Sequence, residues 1–232
     1  MNPLHEFIKG LPPRIEFLVV IMWAFGLPIF SSILSIGAPT EATTTFNNAA
    51  LVSLVVMEVL QSLFLIWFLR IRGWTLEKIG LSVTWRTTGA GIALLVVSYA
   101  VIYLAQLVAN AVIPGDMAAA QQAYPGVARD IGLHFVFIAS TVNGIYEEVF
   151  VAGYVISALL PVRGLWTAIN VSTGLRLLYH LYQGPIGILS IVPLGLIFGY
   201  AFARTRQLWP LILAHILMDI IGLSLAASGH AP

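Results

Sequence analysis

Two adjacent carboxylates, Glu147 and Glu148, stand inside a long apolar stretch of the chain that runs from Ile131 to Leu160. An ionisable side chain at the centre of a bilayer costs at least ~2.5–3.5 kcal/mol, so a pair of them indicates a functional site that needs partners. Carboxylates of this kind can accept a proton from water during catalysis. The pair is therefore the first candidate for chemistry in this sequence.

Candidate partners lie in two later apolar segments. Arg176 and His180 are four residues apart in one segment, and His215 and Asp219 are four apart in the other, so each pair shares one helix face. Asn143 lies one turn before the glutamates, where it either orients them or joins two helices. Together these groups can deprotonate a water molecule and stabilise an oxyanion, as non-covalent amide hydrolysis requires. Proton-coupled transporters use the same residue types, so spacing alone leaves both classes open.

The composition identifies the environment of these residues. The 232-residue chain is 59% hydrophobic and only 9% charged, with a mean hydropathy of +0.93. A soluble domain carries ~25% charged residues, so we expect an integral membrane protein whose constant partner is the lipid bilayer. The net charge of +1 argues against a nucleic-acid partner. The absence of cysteine excludes disulfides, thiolate metal ligands and a cysteine nucleophile.

The apolar segments predict an all-α fold, a polytopic membrane helix bundle with about seven transmembrane helices in a single domain, residues 1–232. We expect the first segment to be retained as an anchor, although Ser35, Gly37 and Ala38 resemble a signal cleavage site. The predicted spans are Arg14–Gly37, Asn48–Leu69, Gly91–Ile113, Ile131–Leu160, Trp166–Tyr182, Gly187–Ala203 and Trp209–Ala227.

The basic residues predict how these spans are oriented. Nine of the 11 Lys and Arg residues fall on one side if the N-terminus is inside, which predicts an N-terminus in the cytoplasm and a C-terminus outside. Small size and short loops indicate a bacterial cytoplasmic membrane. These span boundaries place Glu147 and His180 about 20 Å from the inner face but His215 only about 10 Å from it. For the three to meet, a span must start late, the fourth helix must project inward, or helices must tilt.

Other residues in the apolar segments are interpreted as structural. Glu58 has no motif around it, so we interpret it as a helix-facing carboxylate bonded to a neighbour. Small residues let membrane helices approach closely. We expect this packing role for Gly144, Gly153, Gly195 and Gly199.

Three motifs occur in order within about the last hundred residues, in a core of about 131–227. They are Glu147-Glu148 followed by Phe150 and Gly153-Tyr154; Tyr179-His180 to Gly184; and Leu208-Trp209-Pro210 to His215 and Asp219. In this combination the chain resembles the CPBP family, the CAAX-protease and bacteriocin-processing (Abi) intramembrane endopeptidases, which include the type II CAAX prenyl endopeptidases.

The resemblance implies a function and a set of roles. Glu147 would activate the attacking water with help from His180. His215, with Asp219 at the family's Asn/Asp position, would stabilise the tetrahedral oxyanion or complete the polar site. The substrate would be a membrane protein or peptide, embedded in the membrane or anchored by a lipid such as a prenyl group. Its peptide bonds would be hydrolysed.

Two alternatives remain open at this point. The family has also been described as metalloproteases, and two histidines with carboxylates can satisfy a catalytic zinc site. An HExxH motif is absent and the ligands would come from three helices, so we expect no cofactor. The alternative function is a catalytically silent or proton-coupled membrane protein that uses the same cluster for binding or transport.

One departure from the family pattern bears on activity. The family's first motif is EExxxR, and Ala152 stands where the arginine is expected. Glu148 then needs another partner, because removing one member of a buried ion pair costs ~3–5 kcal/mol. Arg176 is the other cation placed within a predicted span. We therefore hypothesise that Arg176 pairs with Glu148 across the helix interface.

Overall fold

A computed structural model describes residues 3–36, 46–112 and 126–229, and these residues form helices joined by short turns. One isolated β-bridge joins Phe46 and Val127. The suggested cleavage positions Gly37 and Ala38 lie outside the described residues. The helices are α1 (Pro3–Lys9), α2 (Pro13–Leu34), α3 (Asn48–Ile71), α4 (Trp85–Val112), α5 (Leu133–Glu147), α6 (Val155–Arg163), α7 (Leu165–Tyr179), α8 (Gly184–Thr205) and α9 (Trp209–Ala227).

Helix α5 continues into α6 through a π-helical segment, Glu148–Tyr154, so that Leu133–Arg163 forms one long helix. Local sequence explains where the neighbouring helices begin. Pro13 occupies the first turn of α2, and the Asn47 side chain caps α3 by accepting a hydrogen bond from the Ala50 amide at 2.9 Å. Gly164 has a φ of +79° and separates α6 from α7.

Within the described ranges, six helices are long and apolar enough to cross a membrane, which confirms the polytopic helical bundle. The difference from about seven predicted spans is α7, which has 15 residues. At ~1.5 Å per residue it measures about 22 Å, less than the ~30 Å of a bilayer core. The chain nevertheless reaches the far end of α2 in the turn after α7. There the Tyr182 amide donates to Ser32 Oγ at 2.9 Å.

The bundle has two distinct ends. At the end that we call the basic end, Arg72 donates to the carbonyl of Ile8 at 3.1 Å, and Arg206 donates to that of Lys78 at 3.2 Å. At the opposite end, Asn48 accepts a hydrogen bond from the Gly132 amide at 2.9 Å. Successive helices therefore run in alternate directions between the two ends, in the order α2, α3, α4, the long helix, α7, α8 and α9.

The long helix projects past the start of α9 at the basic end. A Cβ built on Gly153 would lie 3.1 Å from Leu208, just before α9 begins, yet the helix continues to Arg163. Ser157 lies within this projection and accepts a hydrogen bond from Arg206 at 2.7 Å. This projection past α9 places Glu148 beside His215, with Glu148 Oε1 2.6 Å from His215 Nδ1.

Two apolar clusters meet on the long helix. One joins it to α2 and α3 through residues such as Phe25, Leu65 and Phe150. The other joins it to α7, α8 and α9 and includes Ile156 and Phe198. Helix α4 lies at the periphery and has the smallest buried share of the six spanning helices. The long helix is thus the central element, and its midpoint carries the glutamates.

Candidate active site

The glutamate pair lies at the junction between α5 and the π-helical segment. Glu147 is the last residue of α5 and Glu148 the first of the π-helical segment. A π-helix has wider turns than an α-helix, and such segments are frequent at functional sites. The wider turn changes the backbone pairing, and Ser172 of α7 donates to the Val151 carbonyl at 2.7 Å. This contact holds α7 against the segment that carries Glu148.

Arg176 of α7 is the cation that faces both glutamates. One guanidinium nitrogen lies 2.6 Å from Glu148 Oε1, and the other lies 3.3 Å from Glu147 Oε2. The arginine side chain is 2% exposed, and its Cζ lies 5.8 Å from the ring centroid of Phe198. The contact predicted between Arg176 and Glu148 is present, and it extends to Glu147.

The position of Ala152 explains why α7 supplies this arginine. Ala152 is 1% exposed and lies in the apolar cluster that includes Ile79, Ile156 and Leu208. In an ideal α-helix it would share a face with Glu148, but the π-helical segment has more residues per turn. A side chain at position 152 is therefore directed into apolar packing. The guanidinium group reaches Glu148 from the neighbouring helix instead.

Glu147 has three hydrogen-bond donors around it. The Tyr179 hydroxyl donates to Oε2 at 2.6 Å, beside the contact with Arg176. Asn143 Nδ2 donates to Oε1 at 3.2 Å. Asn143 was expected from the sequence either to orient the glutamates or to join two helices, and no role was expected for Tyr179. Its signal was available, because Tyr179 follows Arg176 by three residues and so lies on the same side of α7.

The two histidines occupy different surroundings. His215 Nδ1 lies 2.6 Å from Glu148 Oε1, and its Nε2 lies 3.6 Å from Asp219. His180 follows α7, and its Nδ1 lies 2.9 Å from the Arg176 carbonyl oxygen. His180 also interacts electrostatically with Glu147. The structure thus brings all the predicted site residues into one cluster drawn from α5, the π-helical segment, α7, the turn after α7, and α9.

Exposure varies across the cluster. The side chain of Glu148 is 0% exposed, those of Glu147 and His215 are 8% exposed, and that of Asp219 is 30% exposed. The site is therefore closed around Glu148 and opens towards Asp219. Glu148 is suited to a structural ion pair, and Glu147 has some access to solvent.

The cluster extends further than predicted, to Glu58 of α3. The same Asn143 nitrogen that contacts Glu147 lies 2.7 Å from Glu58 Oε1. The interpretation of Glu58 as a carboxylate bonded to a neighbour agrees with this contact. The sequence contained no sign that its neighbour would be Asn143, because the two residues are 85 positions apart.

The residues do not form a metal-binding cluster. Across the described ranges, no group of three or more His, Asp or Glu side chains is arranged to hold an ion. Arg176 and Tyr179 donate instead to Glu148 Oε1 and Glu147 Oε2. Among the described residues there is therefore no arranged set of three ligands for a zinc ion.

Residues 129–221 match the model of the Rce1-like family, described as type II CAAX prenyl endopeptidase Rce1-like. The matched segment contains every candidate site residue except Glu58 and covers less than half of the chain. No curated protein and no solved structure matches the chain significantly. The predicted resemblance is confirmed by the family match, and over residues 129–221 this chain is similar to the type II CAAX prenyl endopeptidases of the CPBP family.

Proposed function

We propose that this chain is an intramembrane endopeptidase that hydrolyses peptide bonds in membrane-embedded or lipid-anchored substrates, with water activated by Glu147 and His180. The observation that carries the proposal is the buried contact of Arg176 with both glutamates, inside the segment that matches the protease family. A membrane helix bundle retains such a costly cluster for function. The missing motif arginine at position 152 does not argue against activity, because Arg176 supplies the same charge.

Glu147 is the general base in this proposal. A carboxylate has about four acceptor positions on its two oxygens. Tyr179 and Arg176 contact Oε2, whereas Oε1 receives a single hydrogen bond, from Asn143 at 3.2 Å. Oε1 therefore retains an acceptor position for water. Glu148 is the structural partner, because its side chain is fully buried between Arg176 and His215.

His180 is suited to hold the same water molecule. A backbone carbonyl only accepts hydrogen bonds, so Nδ1 carries the proton in its contact with the Arg176 carbonyl. In neutral His180 this assigns the lone pair to Nε2. Nε2 can then accept a hydrogen bond from water and later donate one. Glu147 and His180 together orient the water oxygen towards a substrate carbonyl carbon.

The reaction then follows the chemistry of non-covalent amide hydrolysis. The water oxygen bonds to the carbonyl carbon while its proton passes to Glu147, and the carbonyl oxygen becomes an oxyanion. His215 donates from Nδ1 to Glu148, and as the imidazolium it also donates a hydrogen bond from Nε2, the nitrogen on the side of Asp219, to that oxyanion. The carbon–nitrogen bond breaks as Glu147 returns the proton to the leaving amine. The products are a carboxylate and an amine, and the enzyme is regenerated.

The substrate class follows from the location of the site. Asp219 lies on its more exposed side, within a helix that is apolar and long enough to span a membrane. A substrate must therefore enter along the membrane or from its surface, as a membrane-embedded or lipid-anchored peptide does. The matched family is named for prenylated CAAX substrates, so prenylated peptides are the first class to test.

Proteolysis in liposomes tests the proposal. The panel contains farnesylated peptides, the same peptides without the lipid, and transmembrane peptides, each incubated with and without a chelator. Loss of a general base lowers the rate by about 10²–10⁴-fold, and we expect that loss in Glu147→Gln and a large loss in His180→Ala. The matched control, Glu77→Gln, changes an exposed carboxylate and should cleave at the wild-type rate.

The outcomes separate the alternatives. Wild-type cleavage that requires Glu147 and persists with a chelator supports the proposal, whereas chelator sensitivity argues for a metal. An equal rate in Glu147→Gln overturns the assignment of the base. If the folded wild-type protein cleaves nothing in the panel, the result favours the silent binding protein over the protease.

A further inference from the structure

Glu58 is a buried acid outside the segment that matches the protease family. It lies on α3, at 2% exposure, whereas the match begins at residue 129. An acidic side chain inside a spanning helix lowers the stability of the inserted helix, so its presence indicates a functional role. Nothing in the family match assigns one, so its role must be inferred from what its side chain contacts.

The Glu58 side chain is directed at Asn143. Asn143 Nδ2 lies 2.7 Å from Glu58 Oε1 and 3.2 Å from Glu147 Oε1. An amide nitrogen has two hydrogens, so one can be donated to each carboxyl group. A single side chain, that of Asn143, therefore connects Glu58 to Glu147, the carboxylate that accepts the proton in the proposed reaction.

No other polar group in the described part of the chain competes for Glu58. Its Oε2 atom is buried without a hydrogen-bond partner there, and no Lys, Arg or His lies within ion-pair distance of either oxygen. The hydrogen bond to Asn143 is therefore its principal contact. Joining α3 to the long helix does not require Glu58, because Gln61 accepts a hydrogen bond from Tyr146 at 2.7 Å one turn further along.

Glu58 and Glu147 together fix which end of the Asn143 amide lies between them. The amide can rotate by half a turn and present either its oxygen or its nitrogen. Presenting the oxygen would place two acceptors against each other at Glu147. With an acceptor on each side, only the nitrogen end satisfies both contacts. A fixed donor at Oε1 then limits rotation of the Glu147 carboxylate. The acceptor position that remains free on Oε1 therefore points in one fixed direction.

We propose that Glu58 is a positioning residue for Glu147, acting through Asn143. This inference rests on the proposed function, in which Glu147 activates water. It makes α3 part of the active site although α3 lies outside the family match. The requirement is for an acceptor at position 58, so glutamine can replace glutamate and leucine cannot.

The first test is a kinetic comparison in liposomes. A small misplacement of a catalytic group slows the chemical step strongly. We therefore expect Glu58→Leu to lower kcat by about 10- to 100-fold with KM unchanged. Glu58→Gln keeps an acceptor oxygen and should retain most of kcat. The matched control is Gln61→Leu, on the same helix and also bonded to the long helix, which should lower thermal stability without lowering kcat.

A double-mutant cycle tests the route through Asn143. In an Asn143→Ala background the amide is gone, so Glu58→Leu should cause no further decrease in kcat. Effects on kcat that multiply in the double variant would overturn the proposed route. Equal losses of kcat in Glu58→Leu and Glu58→Gln would overturn the requirement for an acceptor.

A spectroscopic measurement tests the inference without any substrate. The infrared spectrum of the wild-type protein minus that of Glu147→Gln isolates the carboxyl bands of Glu147. The same difference recorded in a Glu58→Leu background should show shifted bands, and in a Gln61→Leu background it should not. Unshifted bands would overturn the positioning role even if the protein proved to be a protease. Shifted bands with no proteolysis would retain the positioning role while the proposed function failed.

Discussion

At the scale of the residue, the charge balance of the site depends on Arg176. Its guanidinium group contacts Glu147 and Glu148 from a position with 2% exposure. Arginine is effectively always protonated and presents several donors in a planar fork, which suits it to bridge two carboxylates. Desolvation of the three groups is tolerable only while their contacts are complete.

Removing Arg176 should therefore destabilise the protein strongly. Because Arg176→Leu leaves two buried carboxylates without their cation, we expect it to lower the free energy of unfolding by about 3–5 kcal/mol. The free energy of unfolding of Arg176→Lys should lie between those of Arg176→Leu and the wild type, because an ammonium group keeps the charge but not the planar fork of donors. Denaturant unfolding in detergent measures these changes. The control Arg204→Leu removes an exposed arginine of α8, and its effect should stay within about 0.5 kcal/mol. Equal stability of Arg176→Leu and wild type would contradict the role of Arg176 as the buried cation that pairs with both glutamates.

Restoring the family motif at position 152 should harm this protein. Ala152 is packed among apolar side chains, so Ala152→Arg would bury a second cation where no carboxylate is directed. An unpaired buried charge costs several kcal/mol, and we expect a loss of that order in the free energy of unfolding. The same unfolding assay measures it. The prediction fails if Ala152→Arg is stable and also rescues Arg176→Leu, because position 152 would then reach the glutamates.

At the scale of the element, the long helix and α9 must approach closely for Glu148 to meet His215. Gly144 permits this approach, since a Cβ placed there would lie 2.7 Å from Ile216 Cγ1 and 3.2 Å from the Ile216 backbone nitrogen. Ile216 follows His215 directly in α9. Close packing at Gly144 therefore controls the position of the histidine relative to the glutamate pair.

Gly144→Ala should separate these two helices. Overpacking of a core costs about 1–3 kcal/mol, and we expect that decrease in the free energy of unfolding, together with slower proteolysis as His215 moves. Gly222→Ala in α9 is the control, because no atom lies within 4 Å of a Cβ built there. It should be neutral or stabilising, since alanine favours a helix by about 1 kcal/mol over glycine. A neutral Gly144→Ala would show that the interface adjusts without cost.

At the scale of the whole molecule, positive charge is concentrated at the basic end. The termini of the helices and the turns there carry Lys9, Arg14, Arg70, Arg72, Lys78, Arg86, Arg163, Arg204 and Arg206. Arg129 lies near the opposite end, and Arg176 belongs to the site. Because Lys and Arg accumulate in cytoplasmic loops, we propose that the basic end faces the cytoplasm. His215 lies six residues into α9, so the site is about 9 Å from this end.

Cysteine labelling tests this orientation. The chain has no native cysteine, so a single introduced thiol reports one position. We expect Glu77→Cys, at the basic end, to react with an impermeant maleimide only from the cytoplasmic side of the membrane. Ser228→Cys, after α9 at the opposite end, should react only from the outside. Reaction of both thiols from the same side, or the reverse pattern, would contradict the proposed orientation.

The sequence by itself determined the fold class and most members of the polar cluster, but not Tyr179 or the part played by Glu58. A bilayer penalises every charged group, so residues such as Glu147, Glu148 and His215 stand out against an apolar background. Helical periodicity then places residues four apart on one face, which was sufficient to pair His215 with Asp219 in α9. These are local properties, and they do not depend on how the helices pack.

The tertiary structure decided which helix faces meet and where along each helix they meet. The π-helical segment changes the number of residues per turn after Glu147, so a simple α-helical count misplaces Ala152. The projection of the long helix past the start of α9 set where along α9 the glutamate pair meets His215. Glu58 joined the site because α3 packs beside the long helix, bringing together residues 85 positions apart. Such contacts arise from side-chain packing between distant segments, which local periodicity does not specify.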